Sequence, residues 1–238
     1  MSESIVEQGE GAHALDTLIW NALSTRQAEF AVPGERVLRF QPEVAPFAAL
    51  ADLTPESFGA LRESIERYGP AALVTVDEIE PPEGFDVRRR ATLIQMVAER
   101  EPEPVALEHV RLELGDVPDM LALTAATQPG PFGPRTIELG RYLGVRRQGR
   151  LAAMAGERLR IDGHAEISAV CVDPAFRGQG LAAGLMRLLM AAMRARGEIP
   201  FLHAVASNQN AIAIYRAMGF VARRELHLLV LGGAGAGA

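Results

Sequence analysis

The sequence predicts an α/β protein: a mixed central sheet flanked by helices, preceded by a smaller α/β segment. Three observations carry that prediction. Residues 167–172 form a short apolar run with two valines, which suits a buried strand, and Pro174 stops it. From Leu181 to Arg196 the period becomes helical: Leu181, Leu185, Leu188, Leu189 and Ala192 share a face, and Gly197 supplies the stop. The unit then repeats: residues 200–205 read as a strand, Ser207 and Asn208 can cap a helix over 209–218, and Gly219 ends it.

Between the first strand and helix lies Arg177-Gly178-Gln179-Gly180-Leu181-Ala182. Glycines without a Cβ let a ligand approach the backbone. The first amides of the following helix lack internal partners and sit at the positive end of its dipole, which suits a diphosphate. Three loop chemistries compete. A nucleoside-triphosphate loop needs Gly-Lys-Ser/Thr, and Leu181 follows Gly180. A dinucleotide loop can use Gly178, Gly180 and Ala183, but no acidic residue ends a second strand about 20 residues on. The acyl-CoA pattern Arg/Gln-x-x-Gly-x-Gly/Ala is met at every fixed position. A helix start with glycines for tight packing is the plain alternative.

The second helix decides among them. Asn208-Gln209-Asn210-Ala211-Ile212-Ala213-Ile214-Tyr215-Arg216-Ala217-Met218-Gly219-Phe220 follows the glycine loop at the right distance. In these two motifs the chain resembles the GNAT superfamily of acyl-CoA N-acyltransferases, and within it the FR47-like branch. The likeness is strong over residues 166–220 and weaker back to 105. It implies a GNAT fold in which the two central strands splay apart and acetyl-CoA, the acyl donor, lies in the gap.

In chain order, residues 1–11 are polar and acidic, unlike a signal peptide. Residues 14–30 carry a helical stripe of Leu15, Leu18, Ile19, Ala22 and Leu23. A strand over 37–40 follows. Thr54-Pro55-Glu56 starts a helix running to Tyr68 and Gly69. Strands are expected over 71–76 and 91–98, separated by an acidic, proline-bearing loop over 77–86; Arg88, Arg89 and Arg90 read as a solvated strand end rather than a phosphate site, since acidic residues crowd them on both sides. Glu101-Pro102-Glu103-Pro104 suits a linker. It divides the chain into an N-terminal segment, 1–104, and the acyltransferase domain, 105–231, with a flexible tail at 232–238. The first segment reads as a partial, non-binding copy of the same architecture, a degenerate half; its plain role is to pack against the core and wall off the acceptor side. Beyond the linker come a strand over 105–114, a helix from Asp116 to Thr127 with Pro118 in its first turn, and a hairpin of 141–147 and 151–159 around Gln148-Gly149.

The resemblance assigns roles. Val170, Cys171 and Val172 offer backbone to the pantetheine arm. Arg177, Gly178, Gln179, Gly180, Leu181 and Ala182 bind the diphosphate; Gln179 stands where many relatives carry a basic residue. Asn208 contacts pantetheine, caps its helix, or both. Glu166 is the general-base candidate, placed with Ser168, Val170 and Val172 on one strand face and expected to have a raised pKa; a solvated strand-end glutamate is the alternative, and His203 an alternative base. Tyr215 is the general-acid candidate, or a packing contact to the cofactor. Phe132 and Arg135, in the rigid stretch 128–134 and just beyond, are candidate substrate contacts, or part of a plain connection. Cys171 reads as core. Met186, Met190 and Met193 fall at helical spacing and read as core too.

Composition narrows the partners. At 48% hydrophobic and 23% charged, the chain can bury a core. A net charge of −6 argues against nucleic acid and anionic membranes, and no apolar run is long enough to span a bilayer. One cysteine excludes an internal disulfide and fits a reducing, cytoplasmic setting. The five histidines have no ligand spacing, so no metal is expected. A homodimer stays open. Two functions are carried forward: an N-acetyltransferase acting on a primary amine by direct attack in a ternary complex, and a non-catalytic acetyl-CoA-binding sensor.

Overall fold

The computed structural model describes residues 13–233. The readings of residues 1–11 as a polar, acidic start and of 234–238 as tail lie outside the described residues. Thr25 ends the first helix, α1 (Leu18–Ser24), and a 3-10 turn over Ala28–Phe30 follows. The continuous helix expected over 14–30 is therefore interrupted. The hydroxyls of Ser24 and Thr25 bond back to the Trp20 and Asn21 carbonyls, offering the backbone an alternative to helical pairing.

Strands β1 (Ala31–Val32), β2 (Val37–Phe40) and β3 (Ala48–Leu50) make a small antiparallel sheet. Helix α2 (Pro55–Tyr68) starts as its sequence requires: Pro55 sits in the first turn and the Thr54 hydroxyl accepts from the Ser57 amide at 3.4 Å. Thr54→Ala removes that cap, and a thermal melt should register a loss of about 1 kcal/mol.

The remaining strands build one eight-stranded sheet. They are β4 (Ala71–Thr75), β5 (Phe85–Ala98), β6 (Val110–Arg111), β7 (Tyr142–Arg147), β8 (Arg150–Ile161), β9 (His164–Val172), β10 (Ile199–Val205) and β11 (Phe220–Gly233). Their order is β4-β11-β5-β10-β9-β8-β7-β6, antiparallel except for the parallel pair β9 and β10. The linker at 101–104 is not an edge of this sheet: β4 and β5 precede it in sequence, yet β5 lies between β10 and β11. Gly232 and Gly233 belong to β11, opposite Asp86 and Phe85, so ordered strand runs into the stretch expected as tail. The strand expected over 105–114 shrinks to β6, which finds partners only at Leu143 and Gly144.

Helix α3 (Val117–Thr127) packs on β8 and β9; α4 (Leu181–Ala195) crosses the other face of the same strands, and α5 (Gln209–Ala217) leads into β11. The apolar face of α4 is buried through Leu185, Leu189, Met186, Met190 and Met193, against Ile167, Leu202 and Met96. Each such leucine removed from water is worth about 1.5–3 kcal/mol, so α4 is held by its core face. On the opposite face, Leu15, Leu18, Ile19 and Phe47 pack with Phe40, Leu159 and Phe201. Helix α1 and Phe47 thus cover the sheet face away from α4, whereas α2 of the same N-terminal segment packs on Leu73 and Leu229, whose register places them on the α4 face. Among the described residues, no helix is long and apolar enough to cross a membrane.

Candidate active site

Strands β9 and β10 pair only from His164–Ile199 to Glu166–Phe201, and then run on unpaired to Val172 and Val205. Two parallel neighbours that part in this way leave a gap, with peptide groups facing it that lack a partner strand. The gap opens into a cleft of about 830 Å³. Val170, Cys171 and Val172 line one wall and Leu202, His203, Ala204 and Val205 the other.

A helix start follows each strand at the open end of the gap, α4 after β9 and α5 after β10. No side chain caps α4, and Gly180 precedes it in the left-handed region at φ +71°, as does Gly178 at φ +77°. A Cβ added at either glycine would meet no protein atom within 4 Å. The glycines therefore serve backbone conformation and open space, and the tight-packing alternative fails. Arg177 and Ala182 line the cleft from this loop, while Leu181 is buried beneath α4. Gly178, Gln179 and Gly180 lie between them at the helix start. The side chain of Asn208 accepts from the Ala211 amide at 3.2 Å and so caps α5. Asn208, Ala211 and Tyr215 share the helix face that lines the cleft. The Tyr215 ring meets Phe220 edge-on at 6.2 Å, and burial raises the pKa of its phenol. These residues fit a pantetheine arm in the gap and a diphosphate at the α4 amides.

Strand β9 does not alternate as expected. Ala169 takes φ +52°, and the register with β8 shifts between Gly156–Ser168 and Met154–Cys171. Such a bulge inserts an extra residue and swaps the faces beyond it. Ala165 and Ile167 face α4 before it; afterwards Val170 and Val172 do, while Ala169 and Cys171 join the core under α3. Glu166 and Val170 accordingly point to opposite faces. The Cys171 thiol is buried, and burial pushes its pKa up to about 11, so at neutral pH it stays a core thiol.

Glu166 is fully buried and saturated. Arg158 grips it with two donors, Nε to Oε2 at 2.9 Å and Nη2 to Oε1 at 2.7 Å. The Leu159 amide donates to Oε2 at 3.3 Å, and His203 Nδ1 lies 2.8 Å from Oε1. Burial alone would raise the pKa of this carboxyl; the Arg158 charge and the hydrogen bonds from His203 and Arg158 outweigh it and bring it down to about 2. The raised value expected from the sequence is overturned, because the glutamate left water for a guanidinium rather than for an apolar pocket.

The network continues into the N-terminal segment. Gln95 donates through Nε2 to the Leu15 carbonyl at 3.2 Å and accepts at Oε1 from Arg223 at 2.6 Å. Those two partners fix which way its amide points. His203 Nε2, 3.0 Å from Gln95 Nε2, must then accept, which leaves its proton on Nδ1 facing Glu166. Arg223 goes on to Asp16 at 2.6 Å. Arg158 also lies over the Phe47 ring at 4.8 Å.

Phe132 and Arg135 lie outside the cleft lining. Phe132 packs edge-on against Tyr142 at 5.7 Å; Arg135 is held by Glu138 at 2.7 Å and by Gln41 at 2.6 Å. From that loop, Gln128, Pro129, Gly130 and Pro131 reach the cleft instead. The sequence reading gives Arg158, Gln95, Asp16 and Arg223 no part in the site. Each is one charged or polar residue inside a strand or helix pattern, and only strand register reveals what it meets. Among the described residues, no group of three or more His, Cys, Asp or Glu side chains gathers as a metal site.

Comparisons with known proteins agree with this geometry. A family model described as FR47-like protein matches residues 142–228. The chain is 42% identical to a GNAT-family protein of Novosphingobium aromaticivorans DSM 12444 whose crystal structure superposes with a TM-score of 0.87, covering 93% of this chain and 99% of the other. The GCN5-related N-acetyltransferase of Kribbella flavida, 18% identical over 96% of this chain and 98% of its own at a TM-score of 0.63, shares the fold. N-alpha-acetyltransferase RimI of Mycobacterium tuberculosis is 37% identical over 82 residues, 33% of this chain and 51% of that relative; the chain spans about half the length of this curated relative.

Proposed function

The chain belongs to the GNAT family of acetyltransferases, in its FR47-like branch, and from that premise we propose that it moves an acetyl group from acetyl-CoA to a primary amine by direct attack in a ternary complex. One observation carries the reading: the early parting of β9 from β10, with an uncapped, glycine-preceded helix at its mouth and a tyrosine beside it, all on one cleft.

Acetyl-CoA supplies an already activated thioester, so the protein's work is positioning and proton handling. In this proposal the backbone of Val170–Val172 aligns the pantetheine arm, and Arg177 with the amides of Gly178 to Ala182 holds the diphosphate. The amine nitrogen bonds to the acetyl carbon as the carbon–sulfur bond breaks, and the Tyr215 phenol gives its proton to the sulfur. The amine's own proton passes to water in the open cleft. Glu166 takes a different part from the base: its acceptor sites are already filled by Arg158, Leu159 and His203, and its low pKa makes it a poor base at neutral pH. It positions His203 and Arg158 as the wall of the acceptor side.

The test is free-thiol release on mixing the protein with acetyl-CoA and a panel of amines. Release that depends on the amine is expected. Uptake of acetyl-CoA without release on any amine would move the reading to the sensor.

A further inference from the structure

The acceptor side of the cleft is apolar where it meets the sheet. Register places Leu93, Leu228, Val230 and Val74 on one face of β5, β11 and β4, and Ile19 and Phe47 of the N-terminal segment line the cleft opposite them. Its carboxylates are spoken for. Asp16 is held by Arg223 at 2.6 Å and Arg224 at 3.0 Å, and Glu166 by Arg158. A second cationic group on the substrate would find no carboxylate there without breaking one of these pairs.

One charge is left over. In the triplet Arg88, Arg89 and Arg90, Arg88 pairs with Asp86, and Arg90 with Glu78 and Glu80. Arg89 lies opposite Val230, on the cleft face, and is exposed at the cleft's outer end. Among the described residues no carboxylate comes within ion-pairing distance of it. Leu93 sits opposite Val205, at the tip of β10 where the gap opens. Four residues of extended strand separate Leu93 from Arg89, about 13 Å, and the long arginine side chain shortens that span.

Resting on the acetyltransferase reading above, we propose that the acceptor is a primary amine carried on an apolar body whose far end is a carboxylate, and that Arg89 binds this carboxylate. Amine and anion then bracket the apolar floor, and polyamines are poor acceptors.

The test uses three amines with the same eight-carbon body: octylamine, 8-aminooctanoate and 1,8-diaminooctane, whose far ends are neutral, anionic and cationic. In the unmodified protein, kcat/KM for 8-aminooctanoate should exceed that for 1,8-diaminooctane by about tenfold, as expected for a partly exposed ion pair replaced by repulsion. In Arg89→Glu that preference should invert. The ratio is internal to each variant, so partial unfolding, which scales all three rates alike, cannot imitate the inversion. Equal rates for the three amines, or a ratio that Arg89→Glu leaves unchanged, overturns the proposal. Transfer to other amines but to none of these overturns it while the acetyltransferase reading stands. The absence of thiol release with every amine overturns both.

Discussion

Tyr215→Phe should lower kcat by about 10²- to 10³-fold while leaving the KM for acetyl-CoA nearly unchanged, the range a positioned general acid supplies. The substitution removes one oxygen and keeps the ring. Tyr215 shares a cleft-lining face of α5 with Asn208, and its ring lies edge-on to Phe220, a contact phenylalanine preserves. Stability should therefore hold, and the loss should fall on the step in which sulfur must accept a proton. Burial raises the phenol's pKa, so at neutral pH the group carries the proton it is asked to give. The pH profile supplies a second readout. The alkaline limb, set by loss of the Tyr215 proton, lies above the ordinary tyrosine value, and activity should fall there in the unmodified protein; in the phenylalanine variant that fall should vanish. Steady-state kinetics showing full turnover in Tyr215→Phe would remove the acid role and leave the tyrosine as packing.

The elements that hold this tyrosine were legible because they depend on local chemistry. Helices α4 and α5 are periodic, α5 starts at an asparagine cap, and each is followed by a glycine at positive φ, Gly197 and Gly219; each signal sits within a few residues of the backbone it controls. What escaped was long-range. Gln95 and His203 are 108 residues apart, and Asp16 and Arg223 are 207 apart; β5 had to be seated between β10 and β11 before either pair could exist. The bulge escaped for a different reason. Alanine gives no warning of a left-handed conformation, so strict alternation was the natural reading of β9, and it put Glu166 on the face of Val170. The linker at 101–104 misled in the same way: prolines and like charges mark an exposed turn, but they carry no information about which sheet the flanking strands join. The apolar stripe over 14–30 was real, since Leu15, Leu18, Ile19, Ala22 and Leu23 are all buried, while its helical length was cut short by hydroxyls that bond to their own backbone.

Glu166→Gln should destabilise the fold by about 3–5 kcal/mol, because it keeps the volume but leaves the Arg158 guanidinium buried without its counter-charge. For a chain of this length the melting temperature should drop by roughly 10 °C. Arg158 is 11% exposed and its partner 1%, so water cannot replace the lost carboxylate without opening the cleft wall. The effect has a pH signature of known sign. The carboxyl is held down to about 2 in the folded protein, against an ordinary 4.5 when the chain unfolds. Its contribution is thus complete above pH 4.5 and drains away as the pH falls from there through about 2, a change of order 3 kcal/mol. Urea melts at pH 7, 5 and 3 should show the two proteins well separated at the first two values and converging at the third. A variant that loses nothing at pH 7, or a gap that stays constant down to pH 3, would show the pair to be solvated. The double replacement Arg158→Met with Glu166→Leu separates charge from volume. An apolar pair of similar bulk leaves no uncompensated ion, so it should recover most of the stability that the single substitution removes. His203 would then have no carboxylate at Nδ1, and the acceptor wall would lose its positioning even though the fold survived. Activity should accordingly stay low in the double variant at a melting temperature near the original, which assigns the Arg158–Glu166 pair to holding the wall as well as to holding the sheet.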